Sequence, residues 1–104
     1  MTDAELAKAV ADACGIEVYW NIAENAWFDC GYREEFNPAR SFDDAMMAAN
    51  KCGLFDEDKH RAELHRCDGQ WRVLLPVGGV RDAMNDSGPR AICEAILAVK
   101  GMGT

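Results

Sequence analysis

Apolar and polar positions follow two different periods along the chain, and each change of period marks an element. From Thr2 to Cys14 the period is helical, with Leu6, Ala9, Val10, Ala13 and Cys14 on one stripe. Thr2 and Glu5 have the spacing of a capping box, and Gly15 is a natural stop. In IEVYWNI the period drops to two, setting Ile16, Val18, Trp20 and Ile22 against Glu17, Tyr19 and Asn21. AENA then turns the chain, and WFDCGY forms a second strand with Phe28, Cys30 and Tyr32 on one face.

REEFNPARS is a connector in which Pro38 pushes Asn37 away from helical angles. Ser41 caps a second helix with Asp44 at its N3 position. Phe42, Ala45, Met46, Ala49 and Cys52 make that helix's apolar stripe, and Gly53 ends it. After the polar turn FDEDK come RAELHRC and QWRVLLPV, strands that flank Asp68-Gly69, a pair suited to a type I′ hairpin. Pro76 stands near the strand's end, where a missing ladder donor is tolerated. GGVRDAMNDSG reads as a long loop hinged at Gly78-Gly79. The last helix opens at Gly88-Pro89, with Ser87 close enough to cap it, and buries Ile92, Cys93, Ile96, Leu97 and Val99.

The predicted order is αββαββα. It is an α+β fold in one domain, residues 1–104: a four-stranded, mainly antiparallel sheet with helices on both faces. Trp20, Phe28, Phe42 and Trp71 fall on the faces expected to be buried. Tyr19, Trp27, Phe36 and Phe55 have weaker claims on the core.

Composition narrows the function. The chain has 104 residues, 49% of them hydrophobic and 28% charged, the balance of a globular domain. A net charge of −7 argues against a phosphate backbone as partner. No apolar run is long enough for a membrane span, and MTDAEL has no signal-peptide pattern, so a cytoplasmic protein is expected. Five cysteines, an odd number spread evenly, read as reduced and mostly buried small hydrophobes.

None of the chemical motifs is complete. His60, His65 and Cys67 lack the paired spacing of a structural zinc site. His65 and Cys67 share a strand face, yet no third residue orients them as a nucleophile and base. Cys93 stands near a helix start, where a thiol is acidified, but lies on the apolar stripe. PVGGVRD lacks the Gly-Lys-Ser/Thr ending of a phosphate loop. No catalytic residue, metal or cofactor is expected.

What remains is charge. Asp29, Glu34, Glu35, Asp43, Asp44, Asp56, Glu57 and Asp58 face only Arg33, Arg40 and Lys51 in the same stretch. Carboxylates in the two connectors around the second helix, Glu34, Glu35, Asp56, Glu57 and Asp58, are the candidate partner-binding residues. Arg81 and Asp82 of the long loop join them.

FNPARSFDDAMMAA, the hairpin with DGQWRV, and PRAICEAILAV together resemble the phage ABA sandwich domain family, small proteins of tailed phages and prophages. The matching positions are Asn37-Pro38, Asp44-Ala45, Trp71 and Arg90 to Leu97. The resemblance implies helices on both faces of a central sheet and a phage origin, and brings no catalytic residues with it. The expectation is therefore a non-enzymatic, acidic accessory protein that binds a host or phage protein. An anti-CRISPR-like inhibitor docking onto a nucleic-acid-binding surface is its concrete form. The alternatives are an oligomeric structural or morphogenesis component, or a small enzyme or ligand-binding domain around His65 and Cys67.

Overall fold

The computed structural model describes residues 1–76 and 82–101. Helices α1 (Asp3–Cys14), α2 (Phe42–Cys52) and α3 (Gly88–Val99) alternate with strands β1 (Val18–Asn21), β2 (Ala26–Asp29), β3 (Glu63–Cys67), β4 (Gln70–Leu74) and β5 (Ala83–Asn85). The fold is α+β.

Local chemistry sets the helix ends. The Thr2 hydroxyl accepts from the Glu5 amide at 3.1 Å, and the Thr2 amide donates to Glu5 Oε1 at 2.9 Å, completing the capping box. Ser41 accepts from the Asp44 amide, and Ser87 from the Arg90 amide. Helices α1 and α2 stop in the same way, at Cys14-Gly15-Ile16 and Cys52-Gly53-Leu54. Gly15 and Gly53 take φ of 69° and 74°, and the Ile16 and Leu54 amides each donate 2.9 Å back to Ala11 and Ala49. This is the Schellman ending, whose apolar residue after the glycine is drawn inward. Both Ile16 and Leu54 are buried.

The three helices pack on one another through small side chains. Ala7, Ala11, Ala45, Ala48, Ala49, Ala91 and Ala95 are all buried, which lets the axes approach closely. Asp3 ties three helix starts together, since its carboxylate accepts from Arg40 Nε and Arg90 Nη2, each at 2.6 Å. Hydrogen bonds from these two guanidiniums hold the Asp3 carboxyl below its ordinary pKa. A depressed carboxylate adds stability above the unfolded value of 3.8, and that stability is lost as pH falls through the folded value. Asp3→Asn should therefore cost about 1 kcal/mol near neutral pH, discounted for the partial exposure of the pair. The gap between its melting temperature and wild type should narrow as pH falls from neutral through 3.8 and on through the lower folded value. A gap constant across that range would contradict the assignment.

The expected four-stranded sheet is not formed. Among the described residues β1 and β2 make a two-stranded antiparallel sheet, and β3-β4-β5 a separate antiparallel one. The third strand of that sheet comes from the stretch read as loop, with Ala83 opposite Val73 and Asn85 opposite Trp71. The rest of the loop reading, including Gly78-Gly79, lies outside the described residues. Among the described residues a helix covers one face of the three-stranded sheet, not both. α3 packs on β4 and β5, covering the row Leu64, Val73 and Ala83. The opposite row, His65, Arg72 and Met84, is left open, with His65 and Met84 exposed. Strand pairing is a long-range choice that alternation within each strand does not encode. The Asp68-Gly69 turn forms as expected, with φ of 51° and 78°.

The aromatic assignments shift as well. Phe36, from the connector, is 2% exposed and is the largest fully buried side chain among the described residues. Its amide donates 2.8 Å to the Trp27 carbonyl, which draws the connector across β2. Phe42, expected inside, is 41% exposed. It lies over the start of α3, where a Cβ on Gly88 would fall 2.1 Å from the ring, and meets Trp71 edge-on at 5.3 Å. Trp20 is exposed, while Phe28 and Trp71 are half-buried.

Candidate functional site

The β1–β2 hairpin is not part of the three-stranded sheet, and together with the turn after it carries four of the large exposed hydrophobics among the described residues, Tyr19, Trp20, Ile22 and Tyr32. Asn21 Oδ1 accepts from the Glu24 amide at 3.1 Å and Asn25 takes a φ of 53°, closing the turn. That geometry lifts Ile22 to the tip, 85% exposed. At the other end Asp29 Oδ1 accepts from the Gly31 and Tyr32 amides, at 2.7 and 3.0 Å. The turn this makes leaves Tyr32 76% exposed. Between them the ribbon is aromatic on both sides. Tyr19 faces Phe28 at 5.9 Å, and on the opposite face Trp20 meets Trp27 edge-on at 5.2 Å. Tyr19 and Trp20 are both exposed. Single exposed hydrophobics are ordinary. Several on one short ribbon, flanked by polar groups, make it the candidate interaction surface.

The candidate carboxylates divide into two groups. Glu34 and Glu35 border the hairpin, since the Asp29 amide donates to the Glu34 carbonyl at 2.8 Å and Glu35 bridges to Phe28. Both are exposed. They belong with Asp43 and Asp44 at the start of α2. Burial raises the Asp44 pKa, and the neighbouring charges of Asp43, Glu35 and Glu34 add to the rise. Asp56, Glu57 and Asp58 are exposed in the turn after α2. Eleven residues of helix, about 16 Å, separate the two groups. That exceeds the screening length of about 8 Å at physiological salt, so the groups do not act as one patch. Asp82 is engaged internally, accepting from the Leu75 amide at 2.9 Å and pairing with Arg72 at 3.5 Å. Arg81 lies outside the described residues.

The chain matches no family model, no curated protein and no solved structure. The site therefore has to be read from its own chemistry.

Among the described residues, no group of three or more His, Cys, Asp or Glu side chains is placed to hold a metal ion. His65 and Cys67 do lie on the open face of β3, two residues apart, but Cys67 Sγ turns to Asp68 Oδ2 at 3.7 Å. Cys14, Cys52 and Cys93 are buried, while Cys30 and Cys67 are exposed. Burial pushes the Cys93 thiol up to about 12, away from the helix-start activation considered above. A hydrogen bond from the Cys14 thiol to the Cys52 sulfur raises the first and lowers the second. Burial governs access nonetheless. A thiol reagent at neutral pH should label Cys30 and Cys67 quickly and reach Cys14, Cys52 and Cys93 only on unfolding. Mass spectrometry of the labelled peptides checks this, and fast labelling of Cys52 would contradict the packing of α1 against α2.

Among the described residues no helix is long and apolar enough to cross a membrane.

Proposed function

We propose that the chain works by binding another protein through the β1–β2 hairpin and the adjoining Glu34-Glu35 segment. The observation that carries this reading is the run of exposed Tyr19, Trp20, Ile22 and Tyr32 from base to tip of one ribbon. Large amphipathic aromatics contribute most of the energy at protein interfaces. The exposed Glu17, Glu24, Glu34 and Glu35 beside them favour a positively charged partner and speed its approach. A nucleic-acid-binding protein offers such a surface. An inhibitor of a host defence nuclease is the concrete role that fits, and the phage origin it assumes rests on the short motifs quoted above.

The division of charge sharpens the test. Glu34→Gln/Glu35→Gln should slow association, whereas Asp56→Asn/Asp58→Asn should leave the on-rate within about twofold, because that turn lies more than a screening length away. Affinity capture from a host lysate, with the wild-type chain beside Ile22→Ser/Tyr32→Ser, supplies the partner for that comparison. A protein held by wild type and lost by the double variant supports the reading. A partner retained equally by both contradicts it.

The outer edge of β1 favours a second reading. Among the described residues it has no ladder partner, and its sequence carries neither Pro nor Lys to block one. An oligomeric phage component built on β1-to-β1 pairing would use that edge. Native mass at micromolar concentration separates the two readings.

A further inference from the structure

Beside the hairpin's tryptophan face runs a groove of about 590 Å³, bounded on one side by the outer surface of α1. Trp20 and Trp27 line the hairpin side, and Glu5, Lys8 and Asp12 line the helical wall. A second hollow of about 560 Å³ shares Lys8 and Asp12 with it and continues towards Glu17 and Val18. Together they form an open, shallow channel, mostly apolar beside the tryptophans and as polar as apolar towards Glu17, with Glu5, Asp12 and Glu17 against Lys8 among its described lining residues.

Lys8 shows what this channel recognises. Its ammonium lies 5.6 Å from the centroid of the Trp27 ring and 2.7 Å from Asp12 Oδ1. An aromatic face and a carboxylate thus converge on one cation, an arrangement that also recognises ligand ammonium and guanidinium groups. The grip on Lys8 is weak. Both members of the pair are about half exposed, four residues apart on one helix, and such pairs contribute little to stability. Another cation can displace Lys8 without disturbing the fold.

We propose that the channel binds an extended, basic segment of the partner protein. A Lys or Arg head occupies the Lys8 position between Trp27 and Asp12, and a neighbouring apolar side chain lies against Trp20. This inference rests on the protein-binding reading above and names the chemistry of the partner. Charge complementarity selects this occupant: the rim bears three carboxylates, and the whole chain has a net charge of −7. A second copy of so acidic a chain, or an acidic peptide, would be repelled.

The test uses the full chain and three labelled eight-residue peptides in which Leu and Val alternate with Arg, with Glu or with Ser. Fluorescence anisotropy is recorded at about 150 mM salt, where non-specific charge attraction is screened. The Arg peptide should bind at least tenfold more tightly than the other two. Trp20→Ala and Asp12→Asn should each weaken it about tenfold, and Lys8→Gln should strengthen it several-fold by vacating the site. All three positions are on the surface, and equal melting temperatures confirm folding of each variant. No preference for the Arg peptide, or weaker binding by Lys8→Gln, overturns the proposal. A natural partner lost by Ile22→Ser/Tyr32→Ser but unaffected by Trp20→Ala and Asp12→Asn overturns the channel and leaves the hairpin reading standing. A partner insensitive to all of them overturns both.

Discussion

Phe36→Ala should destabilise the protein by about 3–5 kcal/mol, the range for removing a buried aromatic ring. The side chain is 2% exposed and lies where the connector crosses β2 on its way to α2. Its loss would empty a volume that the surrounding helices, already close through alanines, cannot easily collapse to fill. A small domain has about 5–15 kcal/mol of total stability, so the variant should be marginal at room temperature. The hairpin should loosen too, because the Phe36 amide on the Trp27 carbonyl is one of the links holding β2 to the connector. Urea denaturation gives the first effect, and amide exchange of Trp27 and Phe28 reports the second. A cost below about 1 kcal/mol would show that the connector is not part of the core.

Ile96→Ala should cost about 2–5 kcal/mol. Ile96 is fully buried on the face that α3 presents to the rest of the core, together with Ile92 and Cys93. α3 packs against α1, α2, β4 and β5, so it is the element that joins the helices to the three-stranded sheet. The unfolding transition should remain a single cooperative step at lower denaturant. A loss below about 0.5 kcal/mol would place the helix at the periphery and contradict that role.

The helices were legible because their boundaries are local chemistry. Thr2 with Glu5, Ser41 with Asp44, and Ser87 before Gly88-Pro89 each specify a cap within four residues, and all three caps form. Asp68-Gly69 is equally local. The division into two sheets was not legible, because alternation gives the face of a strand and leaves its neighbour open. β5 is only three residues long, too short to show a period. Phe36 belongs to an aperiodic segment, so nothing in its immediate sequence marked it as central. The exposed aromatics follow from the same cause. Strand period alone places Trp20 inward, but a two-stranded ribbon separate from the three-stranded sheet has less to bury it.

The candidate surface shows the same division. Glu34 and Glu35 are visibly acidic in the sequence, but only the fold places them beside the hairpin and away from Asp56, Glu57 and Asp58. Lys8 and Asp12 have the i, i+4 helical spacing of an ion pair, which is local to the sequence. Their alignment over Trp27 depends on the packing of α1 on β2, which no local pattern specifies.

Site-specific photo-crosslinking in cells shows which surface of the protein meets its partner. A photoreactive aromatic residue is placed singly at Tyr19, Ile22 or Tyr32, and at Glu63, His65 or Met84, exposed on the separate three-stranded sheet, as controls. One partner band is expected from the three hairpin positions and none from the controls. Crosslinks from the control positions, with the hairpin silent, would contradict binding through the hairpin.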